Sequence, residues 1–328
     1  MQFEDIKSYA ACGDLPPAIA ETLDKFCRSY QKAVENSGKP FEECRPILTT
    51  FIKLVVEEVK NPSTFEPYHQ QVSSPFDYYQ FGLDIIRPLI AFDKSSVGNL
   101  QALEVMKGQL ANKENVIFFA NHQTEPDPQI INLILEKHYP ELAKGMVFLA
   151  GHRVISDPLA VPFSKGCNLL CIFSKKYIET PPDQKMHKQV HNQKTMKRMQ
   201  GLLEEGGKCI YVAPSGGRDR INAEGVIEVA AFDPQSIEMF RLIAQQAKRP
   251  THFYPLALST YHLMPPPNNV EKELGERRHT ECIPIHLAFG NEIDMQDFPG
   301  CDPANKQLNR QLRANYICSL VKADYAKF

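Results

Sequence analysis

His122 and Asp127 lie five positions apart, with Pro126 and Pro128 on either side of the acid. An imidazole that takes a proton on one ring nitrogen needs a partner on the other. The partner fixes the tautomer and supports the imidazolium that forms. The prolines stiffen the loop and can fold the carboxylate back toward the ring. Such a pair can deprotonate a hydroxyl, a step worth roughly 10²- to 10⁴-fold in rate. The same acid suits a second task, N-capping a helix that opens at Pro128, the favoured first helical residue. One oxygen can serve each purpose, so both readings stand.

A second set of residues is cationic. Lys176 follows the apolar run 169–173, and Arg218 and Arg220 follow the run 209–213 and the turn Ser215-Gly216-Gly217. Arg153 follows a third run in the sequence Gly151-His152-Arg153. Two cations ~6 Å apart repel by about 3 kcal/mol at an effective dielectric near 20, so gathered cations need an anion. Glycines let backbone N–H groups approach a ligand closely, which suits a phosphate. The competing reading pairs Arg218 and Arg220 with Asp219, Glu224 or Glu228 as surface ion pairs of small worth. A shared location for these cations favours phosphate.

Their location follows from the elements. Short apolar runs at 116–120, 146–150, 169–173, 209–213, 253–258 and 283–289 read as buried strands. Helical periodicity at 78–92, 99–112, 129–137, 185–203 and 236–248 separates them. This order predicts an α/β domain whose sheet is mixed but largely parallel and covered by helices on both faces. Ligands bind beyond the carboxyl ends of strands in such sheets. The His/Asp pair, Lys176 and the two arginines all follow strands directly and so share one edge. Residues 1–60 repeat apolar positions every three or four residues and predict a small N-terminal helical bundle. The Pro/Ser-rich stretch 61–75 sets the boundary, giving domains 1–75 and 76–328.

Composition excludes several classes. No apolar stretch approaches the ~20 residues that cross a bilayer, which argues against an integral membrane protein. Residues 1–14 carry Glu4, Asp5 and Asp14 and resemble neither a secretory signal nor a transit peptide, which points to a bacterial cytosol, with a plastid stroma as the alternative. Nine cysteines without a C-x-x-C pattern argue against a disulfide framework or zinc ribbon, and Cys167, Cys171 and Cys209 read as core. A net charge of −2 gives no global field for nucleic acid. Locally, residues 165–198 carry a net charge of +6 that could dock an acidic partner or form an ordinary solvated face.

Other signals carry less. Gly201 to Cys209 is a near miss to a phosphate-binding P-loop, with its lysine displaced and no Ser or Thr after it. His187 and His191 share a helix face but lack the glutamate of a zinc protease motif. Ser215 lies in no G-x-S-x-G elbow. No metal site is expected.

Asn121-His122-x-x-x-x-Asp127 resembles the His/Asp motif of the glycerolipid acyltransferases. Phe173-Ser174-Lys175-Lys176 and the block Ala213 to Arg220 are similar to the soluble, plastid-type glycerol-3-phosphate 1-O-acyltransferases. The likeness runs through most of residues 76–290, and a helical N-terminal region also matches that subfamily. The resemblance implies that an acyl thioester of acyl carrier protein or coenzyme A is attacked by the 1-hydroxyl of glycerol 3-phosphate, giving lysophosphatidic acid. His122 would be the base, Asp127 its orienting partner, and Lys176, Arg218 and Arg220 the phosphate ligands. No cofactor is implied. The basic segment Lys165–Arg198 would dock the acyl carrier protein. Two positions depart from related patterns: Tyr177 where a histidine is common, and Ser215 where broader relatives carry glutamate. Tyr177, Ser215 and Arg153 are secondary candidates for the site. An apolar groove for the acyl chain is expected along 158–163 or 83–92. A phosphohydrolase using the same edge, or a non-enzymatic module binding an acidic protein, remain the rivals.

Overall fold

Val116, Phe118 and Ala120 face one core and Ile117 and Phe119 another, and all five are fully buried. That alternation places the run in the middle of a sheet covered on both sides. The computed structural model describes residues 3–267, 276–302 and 304–328, without the side chain of Lys176.

Three helices come first: α1 (Glu4–Ala11), α2 (Pro17–Asn36) and α3 (Phe41–Lys60). Strand β1 (Tyr68–His69), helix α4 (Tyr78–Ile86), strand β2 (Ser96–Gly98) and helix α5 (Leu100–Ala111) lead into the central strand β3 (Asn115–Ala120). Next come α6 (Asp127–Leu135), α7 (Pro140–Gly145), β4 (Val147–Gly151), α8 (Val161–Ser164), β5 (Asn168–Ile172), α9 (Lys185–Glu205) and β6 (Cys209–Val212). The short hairpin β7 (Arg220–Ile221) and β8 (Ile227–Glu228) precedes α10 (Pro234–Gln246), β9 (Thr251–Ser259), β10 (His286–Phe289) and α11 (Lys306–Tyr325).

Eight strands form one sheet in the order β1-β5-β4-β6-β3-β9-β10-β2. The five inner strands from β5 to β9 run parallel, while β1 against β5 and β10 against β9 are antiparallel. The fold is therefore α/β with a mixed, mostly parallel sheet and an N-terminal helical region. All six expected strands are present. Four strands were not foreseen, the two edge strands β1 and β2 and the β7–β8 hairpin, and neither were the helices α7, α8 and α11. The helix expected over 78–92 stops at Ile86, where Arg87-Pro88-Leu89 tightens into a 3₁₀ turn because Pro88 supplies no N–H.

One face of the sheet is covered by α9, α10 and α11, and the other by α4, α5, α6 and the N-terminal helices. Phe26 and Phe51 from α2 and α3 meet Phe81 and Phe163 in a continuous aromatic cluster, with ring centroids 5.2 to 6.3 Å apart. Tyr30 Oη donates to the Ile85 carbonyl at 2.8 Å, and Lys165 pairs with the buried Glu58 at 3.0 Å. Gly166 lets the start of α4 approach closely, since a Cβ there would lie 2.4 Å from the carbonyl oxygen of Tyr78. The N-terminal helices thus share a core with the sheet. Among the described residues, no helix is long and apolar enough to cross a membrane.

Candidate active site

The chain leaves β3 at Ala120 and enters α6 at Asp127, so six residues make the whole turn. Asn121 bridges out of β3: its amide nitrogen donates to Leu258 O and Asp219 Oδ2, and its amide oxygen accepts from Leu258 N. Gln123 reaches the same carboxylate and accepts from the backbone N–H groups of Thr260 and Tyr261. Thr124 Oγ1 donates to Met264 O. These contacts hold the turn rigid from both sides.

Within it, His122 Nδ1 lies 2.7 Å from Asp127 Oδ2. The acid is fully buried, whereas the imidazole is 28 % exposed. Asp127 Oδ2 also accepts from the backbone N–H groups of Gln123 and Thr124, and Oδ1 accepts from Thr260 Oγ1 at 2.6 Å. Four donors therefore fix the carboxylate, and Nδ1 is engaged, which leaves Nε2 to exchange a proton. The capping alternative is corrected here. Pro126 is the N-cap and Asp127 is already inside α6, so its carboxylate turns back onto the preceding loop.

The cation block sits against this turn. The backbone N–H of Asp219, between Arg218 and Arg220, donates to the His122 carbonyl at 2.6 Å. The Asp219 carboxylate is buried under the turn, accepts from Asn121, Gln123 and Ala230 N, and has its pKa raised by that burial. It is thus unavailable to the flanking arginines, which overturns their pairing with Asp219. Arg218 pairs with Glu276 at 2.6 Å, and Arg153 Nη2 lies 3.8 Å from the other oxygen of the same glutamate. Arg220 Nη1 is buried with no hydrogen-bond partner among the described residues. Burial, then the neighbouring Arg218 charge, holds the Arg220 pKa below its usual value. Arg153 and Arg218 therefore meet at Glu276, and Arg218 and Arg220 flank the residue bonded to the His122 carbonyl.

The remaining candidates divide. The side chain of Lys176 lies outside the described residues; its backbone belongs to the 3₁₀ turn Lys175–Tyr177 just after β5. Tyr177 is exposed on that turn. Ser215 Oγ donates to Gly217 O, and Gly216 takes φ +66°, so this stretch forms a tight turn that delivers Arg218. The basic segment is not one face. Lys188 is buried, with its ammonium donating to the carbonyls of Tyr177 and Thr180. Lys165, Lys175, Lys185 and Arg198 are paired with acids, and Lys194 and Lys197 are exposed. Lys188 thus braces the turn that carries Lys176. Its side chain falls on the stripe that Thr195, Met199 and Leu202 bury, where a cation reads from sequence as solvated.

Sequence reasoning missed a buried network. Arg278 donates to Glu125 at 3.0 Å and to Asp157 at 3.1 Å, and its Nη1 donates to the Glu276 carbonyl at 2.7 Å. Burial opposes the Arg278 charge, but the two carboxylates more than offset it and raise the pKa. Glu125 belongs to the His/Asp turn and Asp157 to the segment after β4, so the network joins the walls of the site. Charged residues this far apart in sequence give no sign that they meet. The only local signal was an acid inside the His122–Asp127 stretch.

An apolar cavity of about 110 Å³ opens beside His122 and Asp127. Phe148, Leu169 and Tyr211 from the sheet line it, with Ala160 and Phe163 from the segment before β5 and Phe26 and Phe51 from the N-terminal helices. Of the two expected groove segments, 158–163 contributes here and 83–92 does not. Cys167 also lines the cavity, its thiol pushed up to about 12 by burial, in keeping with a core residue. The arrangement combines an imidazole held by a buried carboxylate, a cluster of arginines and an apolar recess.

Known proteins resemble this chain along most of its length. A family described as "Acyltransferase" matches residues 101–259, which span the His/Asp turn and the cation block. A chloroplastic glycerol-3-phosphate acyltransferase of Cucurbita moschata is 41% identical over 89% of this chain and 64% of its own length. The corresponding proteins of Arabidopsis thaliana and Pisum sativum are 37% and 41% identical, each over 95% of this chain and 69% of their own length. The chain thus spans about two thirds of the length of the curated relatives it matches. With identity at that level along nearly all of its residues, the chain belongs to the glycerol-3-phosphate acyltransferase family.

Proposed function

We propose that this protein transfers a fatty acyl group from a thioester to the 1-hydroxyl of glycerol 3-phosphate, forming lysophosphatidic acid. The observation that carries the reading is the hydrogen bond from Asp219 N to His122 O, which sets the arginine block beside the base. The relatives' names, glycerol-3-phosphate acyltransferase, support glycerol 3-phosphate as the acceptor.

In this reading the phosphate sits among Arg218, Arg220 and Lys176, with Arg153 alongside, and the three-carbon backbone extends toward the imidazole. Holding both reactants converts a bimolecular encounter into an intramolecular step. His122 Nε2 takes the hydroxyl proton as the oxygen bonds to the thioester carbonyl carbon, and Asp127 stabilises the imidazolium. The C–S bond then breaks, and the proton passes from His122 to the departing thiolate. Ester and free thiol are the products. Electrons and protons balance without a cofactor or metal. The cavity lined by Phe51 and Phe163 has room for the few acyl carbons nearest the thioester.

Acyl carrier protein and coenzyme A both fit as donors. Docking of an acidic carrier protein would fall to Lys194 and Lys197, the exposed remainder of the basic segment. The relatives' chloroplastic names favour a plastid stroma over a bacterial cytosol.

The test is thiol release by purified protein given glycerol 3-phosphate and an acyl thioester. Replacing His122 with alanine is expected to lower turnover by at least about 10²-fold. Survival of the rate within severalfold would refute the base assignment. Release of inorganic phosphate without thiol would instead establish the phosphohydrolase. Supplying the carrier-protein and coenzyme A thioesters in parallel distinguishes the donors, since carrier docking weakens as salt rises.

A further inference from the structure

The seat assigned to phosphate already holds an anion. Glu276 is buried, with one carboxylate oxygen 2.6 Å from Arg218 Nη2 and the other 3.8 Å from Arg153 Nη2. Its main chain is pinned on both sides: the N–H donates to Asp157 Oδ2 at 3.3 Å and the carbonyl accepts from Arg278. Only the side chain is left to move. Arg220, which feels the charges of Arg218 and Glu276, keeps Nη1 buried and unpartnered among the described residues. A carboxylate has two oxygens and spends both on Arg218 and Arg153. A phosphate monoester brings three terminal oxygens and up to two charges, so it can engage those two arginines and the idle Arg220 nitrogen together.

We infer that Glu276 is a specificity-determining counter-ion, occupying the anion seat of the free protein and yielding it only to a phosphate that satisfies Arg218, Arg153 and Arg220 at once. This deepens the proposed function and rests on its placing the acceptor phosphate at Arg218 and Arg220. The consequence is selection by competition. Carboxylates and other small monoanions offer no more than Glu276 already supplies in place, and they remain excluded. A phosphate monoester displaces it, at the cost of an apparent affinity lowered by the fraction of molecules in which Glu276 is seated. The counter-ion also holds Arg218 and Arg153 together while no ligand is bound, where their repulsion would otherwise splay the seat.

The experiment is calorimetric titration of the full chain with inorganic phosphate, which needs no acyl donor. Wild type, Glu276→Gln and Arg218→Ala are compared. Gln keeps the length and the backbone anchors while removing the charge. Glu276→Gln is expected to bind inorganic phosphate about tenfold more tightly if the seat is about nine-tenths occupied by Glu276. It should also bind acetate measurably, which wild type should not. In the acyl-transfer assay KM for glycerol 3-phosphate should fall by a similar factor, more than any change in kcat. Unchanged or weaker phosphate binding in Glu276→Gln, with binding abolished in Arg218→Ala, would overturn the role of Glu276 and leave the phosphate seat standing. Phosphate binding untouched by Arg218→Ala would overturn the seat itself, and with it the reading on which this inference rests.

Discussion

Asp127 offers two oxygens to four donors, and the division between them decides what its loss would do. Oδ2 serves His122 and two backbone N–H groups, while Oδ1 serves Thr260. In Asp127→Asn the two backbone donors demand an oxygen at the Oδ2 position, which keeps the imidazole in its working tautomer. What disappears is the charge facing the imidazolium. The expected fall in kcat is therefore about 10²-fold, at the low end of general-base effects, with KM for glycerol 3-phosphate little changed. Steady-state kinetics checks this; a fall near the 10⁴-fold known for tautomer inversion would mean that the amide had flipped. The contact of His122 with Asp127 was legible because an imidazole and a carboxylate lay within one short loop. Glu125 lay in the same loop but was unreadable, because its partner Arg278 lies 153 positions away. Glu276 was hidden for the same reason.

At the scale of elements, the parallel strands carried the inference. Runs such as 116–120 and 209–212 are apolar throughout because both faces of the sheet are covered, and the residues after them had to lie at one edge. Two- and three-residue edge strands such as β1 and β2 are too short to show periodicity, and their places are set by β5 and β10. The loops beyond the strand ends are joined by Arg278, whose guanidinium touches Glu125 and Asp157 in a dry setting. Arg278→Met would leave both carboxylates without their shared counter-charge, with Asp157 still held by the N–H groups of Leu159 and Glu276. The expected loss of stability is about 3–5 kcal/mol, measured by urea unfolding. A loss below about 1 kcal/mol would show that water reaches the network, as at exposed ion pairs.

For the molecule as a whole, the recess beside His122 lies between the sheet and the N-terminal helices, so its depth depends on both. Phe163 stands at their junction, in ring contact with Phe51 and Phe81. Phe163→Ala is expected to deepen the recess and raise kcat/KM for longer acyl thioesters relative to shorter ones, and Phe163→Trp to do the reverse. At ~0.8 kcal/mol per buried methylene, a two-carbon change in preferred length is worth about tenfold. A thioester series of increasing length provides the measurement; equal loss at every length would assign Phe163 to packing alone. Sequence periodicity identified the helical region at 1–60 but not its apolar contribution to this recess, because no pattern within a helix specifies which distant surface it meets. A polypeptide shortened to start after those helices would carry a wet trough in place of a lined recess. Water would reach the activated carbonyl as easily as the alcohol does, and the shortened protein would waste its donor by hydrolysis.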